Sequence, residues 1–269
     1  MARIARFRTR EGLVAHGLLE SDASIRAIAG DLFGSWELTS QTFALDEVQL
    51  LAPVTPPNIL AIGLNYRLHA MESGHELPDH PALFIKATTA LCNPGDPIVL
   101  PAVAPDEVDY ECEFAVIIGR RARQVSVDQA LDYVLGYTCA NDVSARDCQR
   151  RLDVQWARAK SFDTFCPLGP WIQTELDPNH AGIRTRLNGA VMQDGNTDDL
   201  IFSVSELISH LSHSLTLLPG TAILTGTPSG VGFARDPQVF LRPGDTVEVE
   251  IDGIGVLRNP VVAASQKTA

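Results

Sequence analysis

The strongest constraint on the fold is an alternating stretch near the middle of the chain, residues 107–119. Its apolar side chains stand at every second position: Tyr110, Cys112, Phe114, Val116 and Ile118. Because side chains of a β-strand point alternately to its two faces, this period of two predicts a strand with one apolar face. The same period places Asp109, Glu111 and Glu113 together on the opposite face. A sheet that carries acidic side chains is therefore expected here.

Other segments carry weaker β patterns, and one segment has helical spacing. Strands are predicted at residues 4–8, 14–19, 59–64, 135–140, 184–187, 222–225 and 246–251. The dipeptide Asn188-Gly189 predicts a hairpin turn. Apolar residues at helical spacing predict an amphipathic helix over residues 203–215. The fold class expected from these patterns is α+β and mainly β.

A proline-rich segment divides the chain. Three prolines occur within residues 51–57. They fix extended backbone angles and are typical of a linker. We therefore predict a small β-rich N-terminal domain with its linker over residues 1–55 and a catalytic domain over residues 56–269. The length of 269 residues suits a small domain followed by a larger one.

Charge and cysteine content exclude several classes of protein. Lys and Arg number 21 against 33 Asp and Glu, a net charge of −12, which argues against nucleic acid as a partner. The five cysteines include no Cys-x-x-Cys pair, so neither a disulfide framework nor a thiolate zinc site is expected. Runs of about 18 apolar residues are absent, so we expect no membrane span and no signal peptide, and a cytoplasmic protein.

The paired glutamates Glu111 and Glu113 have two interpretations. They can form the charged face of a half-exposed sheet, which is common. Alternatively they bind a divalent metal, and all-oxygen ligation suits magnesium, manganese or calcium rather than zinc. Such a site needs a third acidic ligand, and Asp142 at the end of a predicted buried strand is the best candidate.

Further polar residues are candidates for chemistry. His69 and Glu72 are three positions apart, so one helical turn would let the carboxylate orient the imidazole, although an exposed loop pair is the alternative. Arg146 and Gln149 would share a helix face with Asp142. Taken alone, Lys160 has the pattern of a surface lysine. The Gly-rich loop at 225–232 lacks the ending of a nucleotide-binding P-loop.

Taken together, these segments resemble the fumarylacetoacetate hydrolase family. The matching pieces occur in order at residues 63–66 with His69 and Glu72, then at 109–113, 141–147 with Gln149, 160–163, 188–189 and 224–232. The resemblance spans about residues 58–258. It implies a mixed β-roll catalytic domain, commonly in a homodimer, and bacterial members often carry a small N-terminal domain.

The resemblance also implies roles for nine residues. These are the metal ligands Glu111, Glu113 and Asp142, the catalytic residues His69, Glu72 and Lys160, and the substrate contacts Arg146, Gln149 and Thr227. The implied ion is Mg²⁺ or Mn²⁺ in preference to Ca²⁺. The implied partner is a small anionic 2-oxo acid, with no nucleic acid and no membrane.

The resemblance leaves three activities open on one site. Our first expectation is a hydrolase that cleaves a carbon–carbon bond in a small 2,4-dioxo acid, of acylpyruvate or fumarylpyruvate type, through a metal-stabilised pyruvate enolate. The alternatives are oxaloacetate decarboxylase and 2-hydroxyhepta-2,4-diene-1,7-dioate isomerase, because each forms the same enolate. A non-enzymatic metal-stabilised protein is a further alternative. Candidates for contact with the distal group of the substrate are Arg67, Met71 and residues 73–81.

Overall fold

The computed structural model describes residues 2–264, which form many short strands and few helices. The strands are β1 Arg3–Arg8, β2 Val14–Leu19, β3 Ser24–Gly30, β4 Trp36–Ala44, β5 Gln49–Leu51, β6 Ile59–Gly63, β7 Ala82–Lys86, β8 Leu91–Cys92, β9 Ile98–Leu100, β10 Val108–Asp109, β11 Cys112–Ile118, β12 Val134–Asn141, β13 Ser144–Ala145, β14 Cys166–Gln173, β15 Gly182–Leu187, β16 Ala190–Asn196, β17 Ala222–Leu224, β18 Thr246–Ile251 and β19 Gly255–Ala263. The α-helices are α1 Arg67–Glu72 and α2 Val204–Ser214. Short 3₁₀ or π turns lie at Leu45–Glu47, Thr88–Ala90, Val127–Tyr133, Cys148–Leu152, Thr197–Asp199 and Gly232–Ala234.

A large mixed sheet of 12 strands forms the body of the protein, in the order β4-β3-β2-β1-β14-β12-β11-β17-β6-β7. The remaining two strands, β5 and β8, pair with β1 and β14. Most neighbours are antiparallel, but β17 and β6 run parallel. The N-terminal strands join this sheet, because Arg3 of β1 lies opposite Gln173 of β14. The fold is thus α+β and mainly β, as predicted, while the division at residue 55 stays a prediction.

A second sheet of five strands, in the order β16-β15-β18-β19-β9, packs with α2 against the large sheet. Their shared core contains Phe114 and Val116 of β11 together with Leu207 of α2. Ala115 and Ile117, on the opposite face of β11, belong to another apolar core. Every residue of β11 is therefore buried, so this strand is rigidly placed between two packed layers.

Local sequence signals place several elements correctly. The predicted bounds of β2 and β18 match the structure, β6 differs by one residue at one end, and β12 differs by one residue at each end. Asn188 and Gly189 form the turn between β15 and β16, both with positive φ, 52° and 83°. Helix α2 begins with a capping box, in which Ser203 and Glu206 bond each other's backbone N–H.

Residues 107–119 depart from the prediction of one continuous strand. The chain breaks at Tyr110 and Glu111 and forms two strands, β10 and β11, in different sheets. At the break the Glu111 N–H donates to the Asn141 side chain at 3.0 Å, and the Glu111 carbonyl accepts from the Asp142 N–H at 2.9 Å. Tyr110 packs in a different core from Cys112 as a result. A regular period of two therefore does not continue from β10 into β11.

The strand ends gather polar residues at one place. Strand β11 begins at Cys112 opposite Asn141, the last residue of β12, so Glu113 and Asp142 belong to adjacent strand ends. The loop that follows β17 reaches the same region, where the Gly226 N–H donates to Glu113 Oε2 at 2.7 Å. Within residues 2–264 no helix has the length and apolar character needed to cross a membrane.

Candidate active site

Three acidic side chains converge at these strand ends. One carboxylate oxygen from each of Glu111, Glu113 and Asp142 lies within 4.8 Å of the others. All three residues are buried, with exposed fractions of 6%, 1% and 0%. The charged face of a half-exposed sheet, the first interpretation of the glutamate pair, is therefore wrong. The structure brings together the three residues that the sequence suggested as metal ligands.

Basic side chains surround two of these three carboxylates. Lys160 Nζ lies 2.7 Å from Glu111 Oε2 and 2.5 Å from Asp142 Oδ2. Lys86 Nζ contacts Asp142 Oδ1, and Arg146 Nη2 lies 2.7 Å from Glu111 Oε1. Lys160 is only 2% exposed, so the surface position that its local sequence pattern suggests is wrong. Burial of these cations is tolerable only because each one is paired.

Lys86 is a residue that the sequence analysis missed. It ends β7, is 1% exposed and is bonded to Asp142 across 56 positions of the chain. The available signal was a single lysine after the apolar run 82–85, since a charged side chain that becomes buried must find a partner.

Glu113 differs from its neighbours because no Lys or Arg contact to it is found within the described chain. Among residues 2–264, the one hydrogen bond found to its carboxylate comes from the Gly226 N–H. Burial, together with the nearby carboxylates of Asp142 and Glu111, raises the pKa of Glu113 well above the usual value of a glutamate. Negative charge at this position is therefore incompletely balanced. The potential ligand atoms are all oxygens, and one of the buried carboxylates lacks a basic partner. Both features fit a hard divalent cation such as Mg²⁺ or Mn²⁺.

The charges of Glu111 and Lys160 hold each other in the ionised form. Burial raises the pKa of Glu111, but the Lys160 ammonium and the Arg146 guanidinium outweigh burial and leave that pKa below its usual value. Burial lowers the pKa of Lys160, but Asp142 and Glu111 outweigh it and leave the pKa above that of an ordinary lysine. A fixed positive charge thus stands beside the acidic cluster at neutral pH.

Helix α1 carries the His69 and Glu72 pair to the site. Nδ1 of His69 lies 3.2 Å from Glu72 Oε2, so one helical turn joins them as expected. The Glu72 carboxylate also accepts the Gly230 N–H, at 2.9 and 3.1 Å. At the start of the helix, Leu68 N–H donates to Asp199 Oδ2 at 3.0 Å. Both ends of this short helix are therefore fastened to other segments of the chain.

One cavity of about 480 Å³ unites most of the candidate residues. Its wall includes the acidic cluster and five further candidates, namely His69, Arg146, Gln149, Lys160 and Thr227. Glu72 is not part of the wall and reaches the cavity only through His69. Arg67 and Met71 do not line the cavity. Arg67 instead donates to the backbone carbonyls of Asp199 and Leu200, and Met71 is 75% exposed.

An aromatic wall faces the polar residues. Trp156 packs edge to face on Phe84 with ring centroids 5.6 Å apart, and both line the cavity. Gly63 makes room for this ring, because a Cβ there would lie 2.7 Å from the Trp156 side chain. The cavity thus combines a charged inner end with apolar walls, which is typical of small-molecule sites.

A second layer of bonds supports the polar wall. Asp109 pairs with Arg146 at 2.8 and 2.9 Å and accepts the backbone N–H groups of Gly232 and Phe233. Arg146 Nη1 donates to Gln149 Oε1 at 2.8 Å. The alternating pattern grouped Asp109 with the two glutamates. In the structure, Asp109 binds Arg146 and the loop after Gly230.

Comparisons with known proteins find similarity over most of the chain. The model described as fumarylacetoacetate (FAA) hydrolase C-terminal matches residues 58–262, and the model described as Rv2993c-like, N-terminal matches residues 2–53. The chain is 45% identical to Protein Rv2993c of Mycobacterium tuberculosis over 90% of this chain and 89% of that protein. It is 47% identical to oxaloacetate tautomerase FAHD2A, mitochondrial, of Bos taurus over 80% of this chain and 70% of that protein.

A solved structure is similar over the full length. It is the 2-hydroxyhepta-2,4-diene-1,7-dioate isomerase from Mycobacterium marinum, with a TM-score of 0.88 and 42% identity over 99% of this chain and 100% of that one.

Proposed function

The chain belongs to the fumarylacetoacetate hydrolase family, and from this premise we propose that it is a divalent-metal-dependent enzyme that moves a proton beside the keto group of a small 2-oxo acid. The observation that carries the proposal is that the acidic cluster and the His69 imidazole line the same cavity. The proposed activity is keto–enol tautomerisation of oxaloacetate or isomerisation of a related unsaturated acid. Relatives with these names support it.

The three carboxylates of Glu111, Glu113 and Asp142 would hold the ion. When bound, Mg²⁺ or Mn²⁺ would act as a Lewis acid on the carboxylate and keto oxygens of a 2-oxo acid. Lys160, held between Glu111 and Asp142, supplies positive charge where negative charge develops on the substrate. Arg146, Gln149 and Thr227 are the proposed substrate contacts, because they line the same wall.

His69 is the proposed acid and base. Its Nδ1 faces Glu72, which leaves Nε2 available to take a proton from the substrate and return it at another atom. Glu72 orients the ring through this contact, so we assign it a positioning role. The aromatic wall of Trp156 and Phe84 limits the access of water to that proton.

The hydrolase expected from the sequence remains the second candidate. The same His69 and Glu72 pair could activate a water against the distal carbonyl of a 2,4-dioxo acid, which is the observation in its favour. Tautomerisation needs only the proton transfer, whereas hydrolysis needs an ordered water as well.

Oxaloacetate decarboxylase is the third activity on this site. A cytoplasmic homodimer remains our prediction.

The test follows the ultraviolet absorbance of the enol form of oxaloacetate, with acetylpyruvate and fumarylpyruvate in parallel. Protein stripped of metal is compared before and after Mg²⁺ or Mn²⁺ is added. A metal-dependent return of the enol absorbance to its equilibrium value, with the total amount of oxaloacetate unchanged, supports the tautomerase. Loss of acetylpyruvate or fumarylpyruvate supports the hydrolase, and pyruvate formation from oxaloacetate supports the decarboxylase. Absence of turnover with all three substrates contradicts the tautomerase and leaves isomerisation of an unsaturated acid as the remaining form of the proposal.

His69→Ala should abolish the turnover that is found. His80→Ala is the matched control, because His80 is exposed in the segment after α1 and does not line the cavity. Equal activity of the two variants would remove His69 from the mechanism.

A further inference from the structure

One positively charged side chain on the cavity wall has no acidic partner. Three residues with permanent or near-permanent positive charge line the cavity: Arg146, Lys160 and Arg150. The first two are each paired with two carboxylates. For Arg150, no ion pair or hydrogen bond of its guanidinium is found within residues 2–264. This charge is therefore available to something that enters the cavity.

Arg150 is an exposed residue, and two other exposed arginines nearby do have acidic partners. Arg151, the next residue, binds Glu107 through two hydrogen bonds of 2.9 and 3.0 Å. Arg158 binds Asp153 in the same way, at 2.7 and 2.8 Å. In a chain with 33 acidic residues against 21 lysines and arginines, acceptors are plentiful. Arg150 nevertheless lies on the cavity wall without one.

An aromatic ring holds the Arg150 guanidinium in position. Its central carbon lies 4.7 Å from the centroid of the Phe233 ring, and the guanidinium of Arg146 lies 4.4 Å from the same centroid. Phe233 is fixed in turn, since Asp109 accepts the backbone N–H groups of Gly232 and Phe233. Stacking on a ring orients a guanidinium while its N–H donors stay free at the edge of the plane.

We propose that Arg150 binds a second, distal carboxylate of the substrate, so that the enzyme selects 2-oxo dicarboxylic acids over 2-oxo monocarboxylic acids. The inference rests on the proposed function, because it places the 2-oxo acid end at the acidic cluster. The planar fork of a guanidinium matches a carboxylate with two hydrogen bonds. The other two positive charges on the wall, Arg146 and Lys160, are already paired with carboxylates, which leaves Arg150 to discriminate.

The position of Arg150 also revises the sequence analysis. Arg67 was a candidate for contact with the distal group, but its guanidinium is bonded to the carbonyls of Asp199 and Leu200. Residues Ser73, His75 and Pro78 of the segment 73–81 do line the cavity. They can contact the distal group, but only Arg150 adds a permanent charge to that contact.

The test measures binding of matched probe pairs by calorimetry, with Mg²⁺ present. Each pair has the same chain length and differs only in the distal carboxylate: oxaloacetate with 2-oxobutyrate, 2-oxoglutarate with 2-oxovalerate, and 2-oxoadipate with 2-oxohexanoate. We expect the wild-type protein to prefer the diacid of at least one pair. Arg150→Gln should weaken binding of that diacid about tenfold or more and leave its monoacid partner unchanged.

Arg151→Gln is the matched control, because Arg151 is adjacent and paired outside the cavity. The proposal is overturned if the wild-type protein binds both members of every pair equally, if Arg150→Gln weakens both members equally, or if it changes neither. Binding and turnover are read separately. Diacid selectivity that depends on Arg150 without any turnover would contradict the proposed function and leave this inference standing.

Discussion

The carboxylate of Glu72 accepts a hydrogen bond from the backbone N–H of Gly230, 158 positions further along the chain, at 2.9 Å. The same carboxylate faces His69. Glu72 therefore ties helix α1 to the loop after β17 and orients the imidazole at the same time. The position of the proposed base depends on contacts between two distant segments of the chain.

Replacing Glu72 should expose this double role. In Glu72→Gln the amide oxygen can still accept the Gly230 N–H, but the carboxylate that faces His69 Nδ1 is lost. We expect kcat to fall about a hundredfold with KM little changed, because the imidazole loses the group that orients it. Glu76→Gln, an exposed residue just after α1, is the control. An unchanged kcat would show that Glu72 does not position His69.

Removal of one acidic ligand should abolish metal binding without unfolding the protein. Glu113→Gln keeps the shape of the side chain and its bond to Gly226, and it removes an incompletely balanced buried charge. We expect Mn²⁺ to stabilise the wild-type protein against thermal unfolding, by about 2.7 kcal/mol at a free concentration a hundred times Kd. The variant should fold and show no such increase. An equal effect of Mn²⁺ on both proteins would place the metal elsewhere.

The buried pair between Lys86 and Asp142 should be costly to break on one side. Lys86→Met leaves Asp142 with one ammonium partner fewer in a fully buried position. We expect a loss of about 3–5 kcal/mol in the free energy of unfolding, measured by urea denaturation of metal-free protein. The double variant Lys86→Met with Asp142→Asn should lose less, because the uncompensated charge is gone. Equal losses would contradict this account.

Acid should weaken the contact between the N-terminal strands and the linker. His16 Nε2 donates to the Pro53 carbonyl at 3.1 Å. Burial lowers the pKa of His16 and outweighs this hydrogen bond, which raises it. The folded protein therefore binds fewer protons than the unfolded chain below the ordinary histidine pKa of about 6.5. Stability should fall as the pH drops from about 7 through the lowered pKa. Urea denaturation should show a shallower pH dependence for His16→Gln.

The cysteines should be unreactive in the folded protein. Cys92, Cys112, Cys139, Cys148 and Cys166 are all buried and free. Burial raises the pKa of Cys92, Cys112 and Cys166 to about 12, so almost no thiolate is present at neutral pH. A chromogenic disulfide reagent should label none of the five in native buffer and all five in guanidinium chloride. Rapid labelling of native protein would contradict the described packing.

The sequence by itself determined the local elements and the candidates for the metal site. A period of two depends only on neighbouring residues, so it places Glu113 on β11 and predicts that the opposite face of this strand is apolar. The same locality explains β18 and the turn at Asn188. The helical spacing of His69 and Glu72 likewise needs one turn of α1 and no distant contact.

The tertiary structure alone decided which side chains meet and what charge each one retains. Lys160 has the sequence pattern of a surface residue, yet it lies buried between Glu111 and Asp142. Arg150 and Arg151 are neighbours in the chain, but only Arg150 lines the cavity. Burial and ion pairing depend on segments brought together from far apart by the sheets, and a pattern that reads only neighbouring residues contains no information about those distances.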